Sequence, residues 1–405
     1  MTAIIEVIPN GSVTSPRGFK AGATYAGLKT YGADKLDLAL LLSETLCSAA
    51  GVFSTNKIVS PSVTLSKKRI SAGAIKAIVA NSGCANTCVG DQGLKDAEEM
   101  TFLAARHLGI KDEETLVCST GIIGVELPLA LIRQSISKIQ LSPDGGHTMA
   151  RAIMTTDSHP KEMAISLKIN NRTVNLGGIA KGSGMIHPNL ATMLCFLTTD
   201  AAIEKSFLQD ALNRATEVSF NMIDVDGDQS TNDSVILLSN GAAGGDTIRA
   251  GSPAADIFQQ GLTYLCIGLA KELARDGEGA TKLIEATVEG ARNTEQAGAA
   301  ARSIVSSLLV KAAVHGNDPN WGRIMMAVGK SGVELEESKI ALYVNEICLV
   351  EEGRPIPYFQ DAVVAAIKSG DVSFRVKLNV GDGSATAWGC DLTTEYVTFN
   401  AAYTT

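Results

Sequence analysis

The stretch His187-Pro188-Asn189-Leu190-Ala191-Thr192-Met193-Leu194 sets a small residue before a threonine and an apolar run after it. If the Ala191–Thr192 bond were cut, Thr192 would become a chain terminus, with its hydroxyl beside its own free amine. An α-amine is a base that an amide nitrogen is not, and that pairing activates a weak oxygen nucleophile. Left uncut, Thr192 is simply the opening residue of a buried strand, a common place for threonine. Three further segments hold groups able to act on a substrate. Gly177-Gly178-Ile179-Ala180-Lys181-Gly182-Ser183-Gly184 lacks the spacing and the Lys-Ser/Thr ending of a phosphate loop. It reads as a turn that brings backbone near a ligand with Lys181 as the charged contact, or as a surface turn with a solvated lysine. Cys118-Ser119-Thr120-Gly121 ends a strand-like run, and backbone N–H groups in such a turn can converge on an oxyanion. An ordinary strand-end turn has the same composition. Asp224-Val225-Asp226-Gly227-Asp228 looks like a calcium loop, but its glycine is misplaced and Val235 stands where the bidentate glutamate belongs. A structural turn is the better reading.

No metal site is expected. Cys84 and Cys88 have no partner pair nearby, and the five histidines form neither HxxxH nor HxH. The eight cysteines lie mostly in apolar or Gly/Ala-rich surroundings and read as small core residues without disulfides.

Elements must position these groups. Strands are expected at Ala50–Phe53, Ile58–Leu65 and Ala74–Ala80, from short apolar runs between turn residues. A helix is expected over Asp91–Gly109, another over Ala202–Ser219, and a third from the Ser252 cap and Pro253 to about Asp276-Gly277, which leaves Glu278 on the loop beyond. A strand at Leu283–Val288 and a long Ala-rich helix at Glu295–Val314 follow. The final third reads as strands: the alternating run Val372–Val380, then Thr386–Cys390 and Tyr396–Asn400.

At 405 residues the chain exceeds one compact core, and the composition shift near residue 285 divides it into 1–285 and 286–405. The net charge of −8 comes without a basic block, which argues against a nucleic-acid partner. No apolar run reaches the length a membrane span needs. The first residues carry neither a secretory signal nor an Arg-rich transit peptide, so the cytoplasm is the expected location.

Taken together, the blocks resemble the ornithine acetyltransferase (glutamate N-acetyltransferase) family of arginine biosynthesis. They run in order along the chain. They are Ser119-Thr120-Gly121, Met154-Thr155-Thr156-Asp157, Ile179 to Leu194, Asp276 to Lys282, His315 to Arg323, and the tail Asn400 to Thr405. One departure is Cys84, where the family usually has asparagine. The resemblance implies an α/β (α+β) fold, a layered α/β/β/α sandwich with a smaller C-terminal α/β domain whose tail returns to the site. It implies cleavage between Ala191 and Thr192, with Thr192 as nucleophile and Thr120 and Gly121 as the oxyanion hole. Thr156, Lys181, Thr192, Glu278, Asn400 and Thr405 match its substrate-binding positions. The implied reaction moves an acetyl group from N2-acetyl-L-ornithine to L-glutamate by a ping-pong cycle. No cofactor is implied, although acetyl-CoA is a candidate co-substrate. The implied assembly is an α2β2 heterotetramer of two cleaved chains, with neither nucleic acid nor membrane as partner. The rival readings are an amidase or aminopeptidase of the same self-processing superfamily and a non-catalytic amino-acid-binding protein. A nucleotide-binding Rossmann enzyme is weaker, since no glycine fingerprint links a first strand to a helix.

Overall fold

The structure is a computed structural model. It describes residues 3–29, 35–187, 193–368 and 370–402. Among these residues one sheet takes β1 (Ile5–Val7), β2 (Phe19–Thr24), β3 (Leu38–Phe53), β4 (Ile75–Cys84), β5 (Thr115–Ile122), β6 (Lys161–Ile169), β7 (Arg172–Lys181), β8 (Leu194–Thr199) and β10 (Ser234–Ser239). The intervening β9 (Ile223–Asp224) belongs to a second sheet.

The long strand β3 turns the first sheet back over itself. Its first half pairs with β2 and β4, its second half with β10, and the pairing shifts between Leu42 and Cys47. The strand period of two then sorts the side chains. Leu194, Phe196, Ile236 and Leu238 from one half meet Leu41, Ile78, Leu116 and Cys118 from the other in a single buried cluster. The alternate residues Cys195, Leu197, Val235 and Leu237 face α5 (Lys205–Glu217) and α6 (Pro253–Arg275). On the opposite outer face, Leu38, Leu40, Val79 and Val117 pack against α2 (Gln92–Leu108) and α3 (Leu129–Ser135), with Leu65 of α1 (Pro61–Ala72) alongside. A short helix, α4 (Gly146–Ile153), inserts Met149, Ala150 and Ile153 between the layers. The result is the expected α/β/β/α sandwich.

The second sheet runs β14 (Arg354–Pro355), β13 (Ile347–Glu351), β12 (Ala341–Val344), β15 (Val372–Lys377), β11 (Leu283–Ala291), β16 (Gly383–Cys390), β9. It is flanked by α7 (Thr294–Val305), α8 (Leu308–Gly316), α9 (Trp321–Gly329) and α10 (Gln360–Lys368), and the chain's last described helix is α11 (Thr394–Ala402). Its buried residues join the same cluster as α5 and α6. Among the described residues no single helix is long and apolar enough to cross a membrane.

Three expected elements differ. Ile58–Leu65 is not a strand: Ser60 accepts the Ser62 N–H, Pro61 follows, and α1 begins. Glu295–Val314 is two helices meeting at 55°. The break falls at Ser306-Ser307, where Ser306 Oγ donates back to the Arg302 carbonyl at 2.8 Å. Tyr396–Asn400 lies in a helix, started by Thr393, whose hydroxyl accepts the Tyr396 N–H at 3.3 Å.

Candidate active site

Strand parity brings two of the singled-out residues together. Ile179 of β7 and Cys118 of β5 both face the core between the two layers of the folded sheet, so two residues on, Lys181 and Thr120 face it too, from opposite layers. They meet at its end, where Lys181 Nζ donates to Thr120 Oγ1 at 3.2 Å. Both are buried, Lys181 at 1% and Thr120 at 2% exposure. That hydrogen bond occupies an acceptor site of Thr120 and leaves its O–H to donate elsewhere. Burial pushes the Lys181 pKa down, opposed by Asp157 and by the more distant Asp233 and Glu278, while the neighbouring Lys161 adds to the fall.

Next to Thr120, Gly121 has φ +131°, and a Cβ there would lie 2.2 Å from the Gly83 carbonyl carbon. Only glycine fits this position near the end of β5, opposite Gly83 of β4. Gly121 lines a cavity of about 630 Å³ together with Lys29, Cys84, Thr156, Asp157 and Phe399. Cys84, the departure from the family pattern, is buried, and burial raises its thiol to about 11. Lys29, which the sequence did not single out, donates to the Leu36 carbonyl at 2.8 Å. Burial lowers its pKa to about 8 against the pull of Asp37.

A hydroxyl pair and a backbone bond draw in the remaining described candidates. Thr156 Oγ1 and Ser183 Oγ lie 2.6 Å apart. The Ser183 carbonyl accepts the Glu278 N–H at 2.8 Å. Glu278 sits on the loop after α6, and its carboxylate packs against Gly184, where a Cβ would come within 2.5 Å of it. Asn400, from α11, donates to Glu278 Oε2 at 2.9 Å. Thus Thr120, Gly121, Thr156, Lys181, Glu278 and Asn400 converge from five parts of the chain. Ala191, Thr192 and Thr405 lie outside the described residues.

The chain flanking the expected cut is held on both sides. Upstream, Asp226 accepts the N–H groups of Met185 and Ile186 at 2.6 and 2.9 Å, and Asp224 faces His187 Nδ1 at 2.8 Å. The acidic loop 224–228 is therefore a structural turn that grips this segment. Downstream, the Met193 N–H donates to buried Asp233 at 2.8 Å. The first residue of β8, Leu194, lies in register between Lys181 of β7 and Ser234 of β10.

Carboxylates that the sequence reading passed over complete the site. Asp157 accepts Lys161 Nζ at 2.6 Å and the Gly182 N–H at 2.7 Å. Burial alone would raise its pKa, yet Lys161 and Lys181 hold it at about 2. Asp233 goes the other way: burial raises it to about 8, which its bonds and Lys181 only moderate. A charged residue four positions after another was the available signal for Asp157–Lys161, but i,i+4 spacing points to a pair only on a helix, and these two lie in a loop and at the start of β6. Among the described residues no group of three or more His, Cys, Asp or Glu is placed to hold a metal.

The ArgJ family matches residues 20–405. The arginine biosynthesis bifunctional protein ArgJ of Dehalococcoides mccartyi is 48% identical over 405 residues, covering 100% of both chains. That of Symbiobacterium thermophilum is 49% identical over 397 residues, 98% of this chain and 99% of its own. A crystal structure of the argJ protein from Bacillus halodurans superposes with a TM-score of 0.51 at 45% identity, covering 51% of this chain and 98% of that one.

Proposed function

This chain belongs to the ArgJ family, and from that premise we propose that it is a self-cleaving acetyltransferase of arginine biosynthesis. It takes the acetyl group from N2-acetyl-L-ornithine and gives it to L-glutamate. The observation that carries the site assignment is the buried Lys181–Thr120 contact at 3.2 Å. It stands beside Gly121 of β5 and at the end of β7, whose neighbour β8 starts two residues after Thr192.

Hydrolysis of the Ala191–Thr192 bond converts the nitrogen of Thr192 into an α-amine with a reference pKa of about 7.7–8.0. In the first half-reaction Thr192 Oγ attacks the acetyl carbonyl while the α-amine takes the hydroxyl proton. The negative charge gathers on the acetyl oxygen, for which the Thr120 O–H and the Gly121 N–H are the proposed donors. One well-placed donor contributes roughly 2.7–4 kcal/mol to such a step, and general-base help about 10²–10⁴ in rate. The C–N bond breaks, the leaving nitrogen takes the proton, and ornithine departs. In the second half the glutamate amine attacks acetyl-Thr192, and Thr192 Oγ leaves with the proton returned to it. Lys181 and Glu278, of opposite sign, suit the charged ends of both amino acids, with Thr156, Asn400 and Thr405 as further contacts. One site serves both substrates because they share an α-amino-acid portion.

Membership of the family favours transfer over plain deacylation to water. Acetyl-CoA is the proposed co-substrate for direct acetylation of glutamate, and the assembly is proposed as an α2β2 heterotetramer in the cytoplasm. The Bacillus halodurans chain is about half as long as this one, which supports cleavage near the middle. A denaturing mass spectrum of the wild type should show two pieces with Thr192 at a new N-terminus. Thr192→Ala should remain intact and inactive; acetyl transfer by that variant at wild-type rate would remove Thr192 as the nucleophile.

A further inference from the structure

Lys161 lies at the start of β6, in register with Ala180 of β7. Its side chain is fully buried between two carboxylates, Asp157 Oδ1 and Asp276 Oδ2, each 2.6 Å from Nζ. We propose that Lys161 is a positioning residue for the acetyl-transfer site, one ammonium that sets Lys181 and Thr156 in register with Glu278. The proposal rests on the acetyl-transfer reading of the site.

Each carboxylate passes the constraint on. Asp157 also accepts the N–H groups of Gly182 at 2.7 Å and Thr155 at 3.0 Å. It therefore closes the turn that presents Thr156 and fixes the residue directly after Lys181. Asp276 accepts the Ser158 N–H at 3.0 Å and also bonds the Ser158 hydroxyl. Two residues further on, Glu278 donates its N–H to the Ser183 carbonyl. Both substrate-facing charges thus hang on one buried cation.

Stability does not account for this arrangement. Desolvating two carboxylates and an ammonium offsets most of their attraction, and apolar replacements of such clusters are often no less stable. Specifying geometry is the role the proposal gives the cluster here. Here the geometry matters most after the cut. Asp157, Lys161 and Lys181 fall in the N-terminal product, whereas Asp276 and Glu278 fall in the C-terminal one. The Lys161–Asp276 pair crosses between the two at the site itself.

The charges acting on Lys181 are Asp157, Lys161, Asp233 and Glu278, and Lys29 is close enough to feel it. Removing the Lys161 cation takes away a like-charged neighbour, so the Lys181 ammonium should persist to higher pH. The test uses cleaved wild type, Asp276→Asn, and the double variant Lys161→Met/Asp276→Asn, with KM for both substrates and kcat/KM followed against pH. Asp276→Asn should raise both KM values about tenfold or more with a smaller change in kcat. The double variant should in addition move the alkaline limb of kcat/KM upward. A role confined to folding would reduce the yield of active enzyme and leave KM and the limb in place. If the double variant does not fold, Asp276→Asn decides alone. Wild-type KM and pH profile in folded variants overturn the proposal. A cleaved wild type that transfers no acetyl group overturns the acetyl-transfer reading and the proposal with it.

Discussion

Two buried carboxyls near the cut titrate in opposite directions. Asp157 is held at about 2, because two lysines outweigh its burial, whereas Asp233 is driven up to about 8 by burial that its bonds do not offset. Asp233 is therefore protonated in the folded protein over a range where the unfolded chain has lost that proton. Stability falls with rising pH wherever the unfolded state binds fewer protons, here between about pH 4 and 8. Denaturant melts of Asp233→Asn should show a flatter dependence across that window than the wild type; an equal slope would assign the linkage elsewhere. Residue identities were legible unevenly. Thr120, Lys181, Glu278 and Asn400 came through the family's local blocks, and the structure places them together. Asp157 and Asp276 lay inside two of those blocks without being singled out, and Lys161 and Asp233 had no local signal. Their meaning comes from partners far away in the chain: Lys161 and Asp276 are 115 residues apart.

At the scale of elements, the same signal was read in one place and missed in another. Ser252-Pro253 announced α6, and Ser60-Pro61 announces α1 in the same way, but the apolar run around Ile58–Leu65 drew a strand reading. The β-branched and aromatic residues of 396–400 did so again, although α11 buries none of its residues and is held by its start at Thr393 and by Asn400. Composition weighs poorly against a cap when the segment is short. The strand end at Gly121 is the element-scale feature on which the proposed oxyanion hole depends. In Gly121→Ala the new methyl would meet the Gly83 backbone at 2.2 Å, on a strand that cannot yield without disturbing β4. The variant should lose about 10²-fold or more in kcat, in line with removal of an oxyanion donor, and should melt at lower temperature. Wild-type kcat would show that Gly121 contributes nothing to the transition state.

Across the whole molecule, the proposed cut falls in the connection between two neighbouring strands of one sheet. Lys181 of β7 and Leu194 of β8 are paired, as are the residues back to Leu176 and Thr199. Residues 1–191 would keep β7 and residues 192–405 would keep β8, with β10 on its far side. The two products also share the core between the layers of the folded sheet. They should elute together in native size-exclusion chromatography and separate only in denaturant; separation under native conditions would contradict a shared sheet.

The sequence by itself determined the family, the reaction it implies, the candidate groups and most helices, because these are written in local blocks, caps and periodicities. The layered α/β/β/α order was also expected from it, through resemblance. Only the tertiary structure decided which carboxylates hold the site, how β3 folds the sheet over itself, and that Lys181 and Thr120 meet from opposite layers. Those facts depend on contacts between residues distant in the chain. Two lysines then set the charge of Asp157 and burial that of Asp233, and the local sequence of neither gives a sign of its surroundings.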